Sequence, residues 1–162
     1  MEQHRNSELE CGRCKEPIAA ADRFCRNCGS IFADGFVCTN HGNVEAEGVC
    51  VIFAKPFCKK CGGSKLGVFL CDEHYEYEIQ EGRARVFGCL DNVKAQYVSK
   101  CLKQAGYHPF LLSRNFNPGP DIVTLTNVRN FGNHPIEELK VFLPYAEILK
   151  AEKTLEELGV EE

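Results

Sequence analysis

The chain has 162 residues and a formal net charge of −4, and 11 of its residues are cysteine while none is tryptophan. Basic and acidic residues nearly balance in both parts of the chain, at 9 against 10 up to residue 74 and 10 against 13 after it. This balance does not favour nonspecific binding of duplex nucleic acid, which depends on clustered lysine and arginine. Apolar runs of about 18 or more residues are missing from the sequence, so it predicts no helix that spans a membrane.

The cysteine content indicates metal binding rather than disulfide bonds. The first ten residues, MEQHRNSELE, lack the apolar stretch of a secretory signal, so we expect a cytoplasmic protein. Disulfides rarely persist in that reducing compartment, and an odd number of cysteines also fits a disulfide scaffold poorly.

Most of the cysteines, together with two histidines, form pairs separated by two residues. Two ligands with this spacing can contact one ion from a single tight turn, and two such turns complete a tetrahedral site. The pattern therefore predicts two to three structural Zn²⁺ ions. The predicted ligands are the pairs Cys11/Cys14, Cys25/Cys28, Cys38/His41, Cys58/Cys61 and Cys71/His74, with Cys50 standing alone.

The first predicted module covers residues 11–33 and follows a polar segment, residues 1–10, that we expect to be disordered. Cys11-Gly-Arg-Cys14 and Cys25-Arg-Asn-Cys28-Gly29 resemble the short zinc ribbon found at the N-terminus of many prokaryotic proteins. A segment this small buries too little apolar surface to offset its conformational entropy, since domains below about 40 residues usually need metal or disulfides. We therefore expect zinc to stabilise this module.

The second predicted module covers residues 36–79 and resembles a B-box-type zinc finger. Its ligands are spaced Cys38-x2-His41-x8-Cys50-x7-Cys58-x2-Cys61-x9-Cys71-x2-His74. The resemblance implies interleaved pairs, so that one ion is held by Cys38, His41, Cys58 and Cys61, and another by Cys50, Cys71 and His74. The alternative is a sequential arrangement, in which one ion is shared by Cys58, Cys61, Cys71 and His74.

The chain departs from the B-box pattern at Phe53, which stands where a partner for Cys50 is expected. Three donors leave the fourth position of a tetrahedral ion open. Either Asp72, Glu73, Cys89 or water supplies the fourth ligand, or the site is empty. Catalytic zinc also keeps a position open, but we find no Ser/His/Asp set, phosphate-binding glycine loop or paired carboxylates that would indicate an enzyme.

Patterns of ordinary strands and helices follow the zinc-rich half. Strands are predicted at residues 75–79, 83–89, 107–112, 122–125 and 139–143. A first helix begins at Asp91 or Asn92 and ends at Gly106, and a second begins near Pro144 and ends at Gly159. The first helix is expected to bury one apolar stripe, consisting of Val93, Tyr97, Val98, Cys101, Leu102 and Ala105. This order predicts a small α+β domain over residues 84–159.

Three segments of this domain are similar to a small prokaryotic family of signal-transducing proteins. They read Arg85-Val-Phe-Gly-x-x-Asp91-Asn-Val-x-Ala95, Leu102-x-x-Ala-Gly106-Tyr and Leu139-Lys-Val-Phe-Leu-Pro144. The resemblance implies a ferredoxin-like fold, similar in shape to nitrogen-regulatory PII proteins, and supplies no catalytic residue. The fold class expected for the chain is therefore small zinc-stabilised modules, a ribbon and a B-box-like finger, followed by a ferredoxin-like α+β domain.

We expect a non-enzymatic adaptor or signalling protein that acts through protein–protein interaction or small-ligand sensing. Protein partners are expected, a homodimer through the α+β domain is compatible with the fold, and no membrane is involved. The alternative is a zinc-finger protein that binds RNA or single-stranded nucleic acid. Its support is the basic residues Arg13, Arg26, Lys59 and Lys60, and the tripeptide Arg-Asn-Phe at residues 114–116 and 129–131.

Overall fold

The computed structural model describes residues 9–113 and 138–160. These residues form two compact units. The first contains the chain up to Ala84 together with Tyr145–Leu149, and the second contains Arg85–Pro144 together with the residues from Lys150 onward. Both zinc-rich segments, residues 11–33 and 36–79, belong to the first unit. Their status as separate domains stays a prediction, and residues 1–8 and the predicted strand at 122–125 lie outside the described residues.

The zinc-rich segments of the first unit are built from short antiparallel hairpins. Strand β1 (Leu9–Glu10) pairs with β2 (Pro17–Ile18), β3 (Gly48–Val49) with β4 (Pro56–Phe57), and β5 (Gly62–Lys65) with β6 (Val68–Cys71). A 3-10 helix, Asp72–His74, follows β6. Each hairpin therefore begins or ends beside a predicted ligand pair.

The β5–β6 hairpin shows how the local sequence sets these positions. Leu66 and Gly67 join the strands, and both have positive φ, 51° and 81°. Two such residues match the twist of the paired strands in a two-residue turn. The resulting register pairs Gly62 with Cys71. The knuckle that ends at Cys61 is therefore held next to the one that begins at Cys71.

Backbone hydrogen bonds join the two zinc-rich segments. The Val49 N–H donates to the Gly29 carbonyl at 2.9 Å, and the Phe69 N–H donates to the Cys28 carbonyl at 2.9 Å. Gly29 has a φ of 80°, and a Cβ there would overlap the Val49 carbonyl oxygen and lie 2.9 Å from the Phe69 Cβ. The close approach of the segments therefore requires glycine at this position.

The second unit contains helices and longer strands. Its elements are most of β8 (Arg83–Cys89), α1 (Asn92–Gln104), β9 (Phe110–Leu112), β10 (Leu139–Pro144), and most of α2 (Ile148–Glu157), which follows a 3-10 helix at Tyr145–Glu147. With β7 (Ile79–Gln80), the sheet has the order β7-β8-β10-β9, and β9 and β10 are antiparallel. The described residues thus include a small α+β region with a four-stranded sheet.

The predicted ends of α1 are confirmed. The Asp91 carboxylate accepts hydrogen bonds from the N–H groups of Val93 and Lys94, as an N-cap does, and Gly106 follows the helix with a φ of 90°. By contrast, only Ile79 of the predicted strand at 75–79 lies in a strand, because the 3-10 helix and turns precede it. Pro144 ends β10 instead of beginning a helix.

The predicted apolar stripe of α1 is wrong at both ends, since Ala105 is exposed as well as Val93 and Tyr97. The helix buries Ala95, Val98, Ser99 and Leu102, while Val93 and Tyr97 are 78% and 57% exposed. The helix carries two neighbouring stripes at helical spacing, and the one with the small residues Ala95 and Ser99 packs on β9 and β10. Small side chains allow the closer approach, so the bulkier stripe faces outward.

We predict that Gly29→Ala destabilises the protein much more than Gly35→Ala. Both glycines have positive φ, which costs alanine roughly 1 kcal/mol, but the space at Gly35 is open. Overpacking against Val49 and Phe69 should cost Gly29→Ala about 1–3 kcal/mol more. Urea unfolding of the two metal-saturated variants measures the difference. Equal free energies of unfolding would show that the two segments do not depend on this contact.

Candidate metal centres

The structure gathers all eleven predicted ligand residues into three groups, and the donor atoms within each group lie within 4.8 Å of one another. The second and third groups are interleaved along the chain, so the sequential sharing of one ion by the last two ligand pairs does not occur among the described residues. The first group is Cys11, Cys14, Cys25 and Cys28; the second is Cys38, His41, Cys58 and Cys61; the third is Cys50, Cys71 and His74.

The four sulfurs of the first group lie at the spacing of a tetrahedral metal site. Cys11 Sγ is 3.6 Å from Cys28 Sγ, and Cys14 Sγ is 3.5 Å from Cys25 Sγ. Zinc–sulfur bonds of about 2.3 Å at tetrahedral angles place two sulfurs about 3.8 Å apart. A disulfide requires about 2.05 Å, and all eleven cysteines are free. The group therefore fits a metal ion and not a pair of disulfides.

The second group places three sulfurs around one imidazole nitrogen. His41 Nδ1 lies 3.6 Å from Cys38 Sγ, 3.6 Å from Cys58 Sγ and 3.3 Å from Cys61 Sγ. Zinc bonds to sulfur and nitrogen at tetrahedral angles predict a separation of about 3.6 Å. The three cysteines are buried, whereas the His41 ring is exposed. The geometry is consistent with one structural zinc ion held by three thiolates and one histidine.

Hydrogen bonds within the turns lower the pKa of some of these cysteines and so favour the thiolate form. Burial alone would raise the pKa of Cys11, but N–H donors of Cys14 and Arg13 outweigh it and lower that pKa to about 6. In the second group burial is likewise outweighed, mainly by backbone N–H donors and His41, and the pKa of Cys38 falls to about 6. Burial raises the pKa of Cys25 to about 12, so its thiolate requires a cation beside it.

The third group has three donors in the interior of the first unit. Cys50, Cys71 and His74 are 0%, 2% and 5% exposed. His74 Nδ1 lies 3.6 Å from Cys50 Sγ and 3.0 Å from Cys71 Sγ, so its contact with Cys71 is closer than about 3.6 Å, the tetrahedral value. Burial and the neighbouring Cys50 raise the pKa of Cys71 to about 11.

The protein residues considered as a fourth ligand do not join the third group. No further cysteine, histidine or carboxylate of residues 9–113 and 138–160 lies within the 4.8 Å limit of all three donors. Asp72 and Glu73 are exposed, and the Cys89 thiol donates a hydrogen bond to the Asp91 carbonyl at 3.1 Å. Of the open alternatives, water and an empty site remain.

Sequence reasoning missed two polar residues that support the ligands. Ser30 Oγ lies 3.1 Å from Cys28 Sγ, and the Asn40 side chain opposes the rise in the pKa of Cys61 that burial causes. Such outer contacts orient metal ligands and tune them. Asn40 lies inside the Cys38–His41 knuckle and Ser30 follows the Cys25–Cys28 knuckle, so adjacency to a ligand pair was the available signal.

Comparison of the chain with models of protein families, with curated proteins and with solved structures gives no match. Within residues 9–113 and 138–160, every helix is too short or too polar to cross a bilayer. The candidate function therefore rests on the geometry of the three groups.

Removal of metal should unfold the zinc-rich segments and leave α1 folded. Thiolates brought this close repel one another without a cation, while α1 packs on β9 and β10 and contains no predicted metal ligand. Hydrogen exchange measured by mass spectrometry, before and after dialysis against EDTA, should show lost protection in residues 9–74 and retained protection in α1. Unchanged protection of residues 9–74 would contradict a structural role for metal.

Replacement of a ligand pair should remove one ion. Cys58→Ser together with Cys61→Ser leaves the second group only two donors, so native mass spectrometry should find one metal ion fewer than in the metal-saturated wild-type chain. Cys101→Ser is the matched control, because Cys101 lies on α1 outside all three groups. A full complement of metal in the double variant, or a loss in Cys101→Ser, would refute this assignment.

Proposed function

We propose that the chain is a non-enzymatic adaptor whose modules are stabilised by structural zinc. The observation that carries this proposal is that two groups have four protein donors each, which leaves an ion no open position for a substrate. The third group lacks a fourth donor, but the Phe53 and Tyr77 rings pack edge-on against His74 at 5.1 and 5.4 Å. Zinc in this protein would hold surfaces in place and would not turn over a substrate.

The modules of the proposal are a zinc ribbon, a B-box-like finger and a ferredoxin-like domain. The interleaving of the second and third groups supports the B-box-like reading. The order β8-α1-β9, then β10-α2, supports the ferredoxin-like interpretation. It contains five of the six elements of a β-α-β-β-α-β domain, in the same order.

The exposed face of α1 supports a protein partner. Val93 and Tyr97 lie one helical turn apart and are largely exposed, and they line a groove of about 610 Å³ with Pro109 and Leu111. Exposed apolar patches of this kind are typical of interaction sites. Among residues 9–113 and 138–160, the charged residues that line the groove are Lys100 and Lys103. This arrangement suits an apolar protein segment that carries acidic residues, which fits an adaptor better than the sensing of a small ligand.

Nucleic-acid binding is the second candidate, and α1 also supplies its specific support. The helix has three lysines and no carboxylate, and Tyr97 is an exposed ring on which a base can stack. The basic knuckle residues support it less. Lys59 lies 3.9 Å from the Glu47 carboxylate, and Lys59 and Lys60 line a groove with Glu45 and Glu47. The Arg-Asn-Phe tripeptides lie outside the described residues.

A photo-crosslinking residue at position 97 distinguishes the two candidates. We expect it to capture protein from cell extract, and the charge-reversed pair Lys100→Glu with Lys103→Glu to reduce that capture about tenfold or more, because close charge pairs contribute more than 1 kcal/mol. The matched control is the same crosslinker at Leu66, which is 78% exposed in the β5–β6 turn. Capture of RNA that falls steeply as salt is added would favour the second candidate. Equal capture of protein at positions 97 and 66 would contradict the adaptor surface.

A further inference from the structure

Three turns of the first unit share one backbone pattern. In each, the N–H of a cysteine donates to the carbonyl five residues later, and the N–H four residues later donates back to the cysteine carbonyl. For Cys11 these bonds are 2.9 and 2.9 Å, for Cys25 they are 2.8 and 2.8 Å, and for Cys50 they are 2.9 and 2.7 Å.

The residue that closes each turn also has the same conformation. Lys15, Gly29 and Ala54 have φ values of 63°, 80° and 54°. Alanine and lysine reach this left-handed region only at some cost, so the surrounding structure must impose it. The Cys50 turn is therefore the same kind of metal knuckle as the turns at Cys11 and Cys25.

The match identifies Phe53 as the residue at a ligand position. In the first two turns the donors are the first and fourth residues, so Cys14 and Cys28 complete the pairs. In the third turn the fourth residue is Phe53. The backbone that aims a donor at the metal is retained, and the side chain it aims is a phenyl ring.

The surroundings of Phe53 show that its ring belongs to the third group. The ring stands edge-on to His74 with centroids 5.1 Å apart, and it lies 6.5 Å from the Phe57 ring. Lys55 Nζ lies 4.5 Å from its centroid. The phenyl ring thus packs against His74 of the third group and stands at the turn position where the other two turns carry their second donor.

A three-donor group has different metal chemistry from its two neighbours. Structural zinc is almost always four-coordinate, so an ion here must add a small exogenous donor such as water. The two thiolates carry a charge of −2 and the imidazole is neutral, so one divalent ion makes the filled site formally neutral. A neutral site is tolerable in the interior. Binding is therefore allowed, but one protein–metal bond is missing.

We propose that Cys50, Cys71 and His74 form an exchangeable zinc site, and that Phe53 makes it the site that releases zinc first. This inference rests on the proposed function, because it takes the ion to be zinc. The two four-donor groups keep the zinc-rich segments folded while the third group gains and loses its ion with an exogenous ligand.

Chelator competition on the full zinc-saturated chain tests the proposal. With 4-(2-pyridylazo)resorcinol as the probe, we expect one zinc to be released at a chelator concentration at least about 100-fold lower than the other two, since loss of even a supporting contact costs a metal site 10–100-fold in affinity. Native mass spectrometry counts the ions that remain. Release of all three in one transition, or a third ion that never binds in excess zinc, would overturn the proposal.

Substitutions at position 53 test the residue itself. Phe53→Cys should restore the fourth donor and move the early release to the concentration at which the other two ions leave. Phe53→Leu is the matched control, because it removes the ring without adding a donor, and its early release should persist. Phe53→His serves as a second donor variant if Phe53→Cys fails to fold. Early release that persists in both donor variants would exclude residue 53 as the determinant.

The same data separate this inference from the proposed function. A wild-type chain that binds no zinc would contradict both. Three equally tight ions would leave structural zinc in place and refute only the exchangeable site.

Discussion

In the proposed function, the fold of the zinc-rich segments depends on the bonding of thiolates and imidazoles to a divalent cation. In residues 11–33 the buried cluster is Cys11, Cys25 and Cys28, against which Cys14 and Ile18 pack. The proposed ligands are therefore almost the whole interior, and little apolar surface is left to offset the entropy of ordering the chain. Metal binding is then inseparable from folding, as it is in other small metal-binding domains.

The backbone contributes as much to these sites as the side chains. Tight turns bring N–H groups to the sulfurs, and the pKa of Cys11 falls to about 6 although burial opposes it. The partner sulfurs respond differently, because burial raises the pKa of Cys25 to about 12. A cation beside them removes the conflict, since coordination deprotonates a thiol outright. The β5–β6 hairpin also links two of the groups. It holds Cys61 of the second group next to Cys71 of the third.

The sequence was sufficient to predict which cysteines and histidines gather into groups, but only part of their surroundings. A spacing of two residues selects pairs such as Cys38 and His41 because one turn can aim both at an ion. Which pairs combine depends on hairpin register, which spacing alone leaves open. The resemblance to a B-box finger implied the interleaved grouping, and the fold was needed to exclude the sequential alternative. The fold was also needed to show that Phe53 lies in a turn with the backbone of a metal knuckle. This turn is recognisable only from the hydrogen bonds at Cys50 and the φ of Ala54.

Helix α1 shows that sequence can predict the ends of a helix without predicting which of its faces is buried. Its ends followed from Asp91 and Gly106, whose capping roles are local. Its buried face did not, because Val93 and Tyr97 lie on one apolar stripe and Ala95 and Ser99 on the next, and only packing against the sheet decides between them. The predicted strand at 75–79 failed for a similar reason, since alternating residues do not exclude the turns that follow the 3-10 helix.

X-ray absorption at the zinc edge of the zinc-saturated chain measures which atoms bind the ions. The three groups together supply nine sulfurs and two imidazole nitrogens. We therefore expect a first shell with about three sulfurs per zinc at about 2.3 Å. A first shell made mainly of oxygen and nitrogen, or cysteines oxidised to disulfides with no bound zinc, would contradict it.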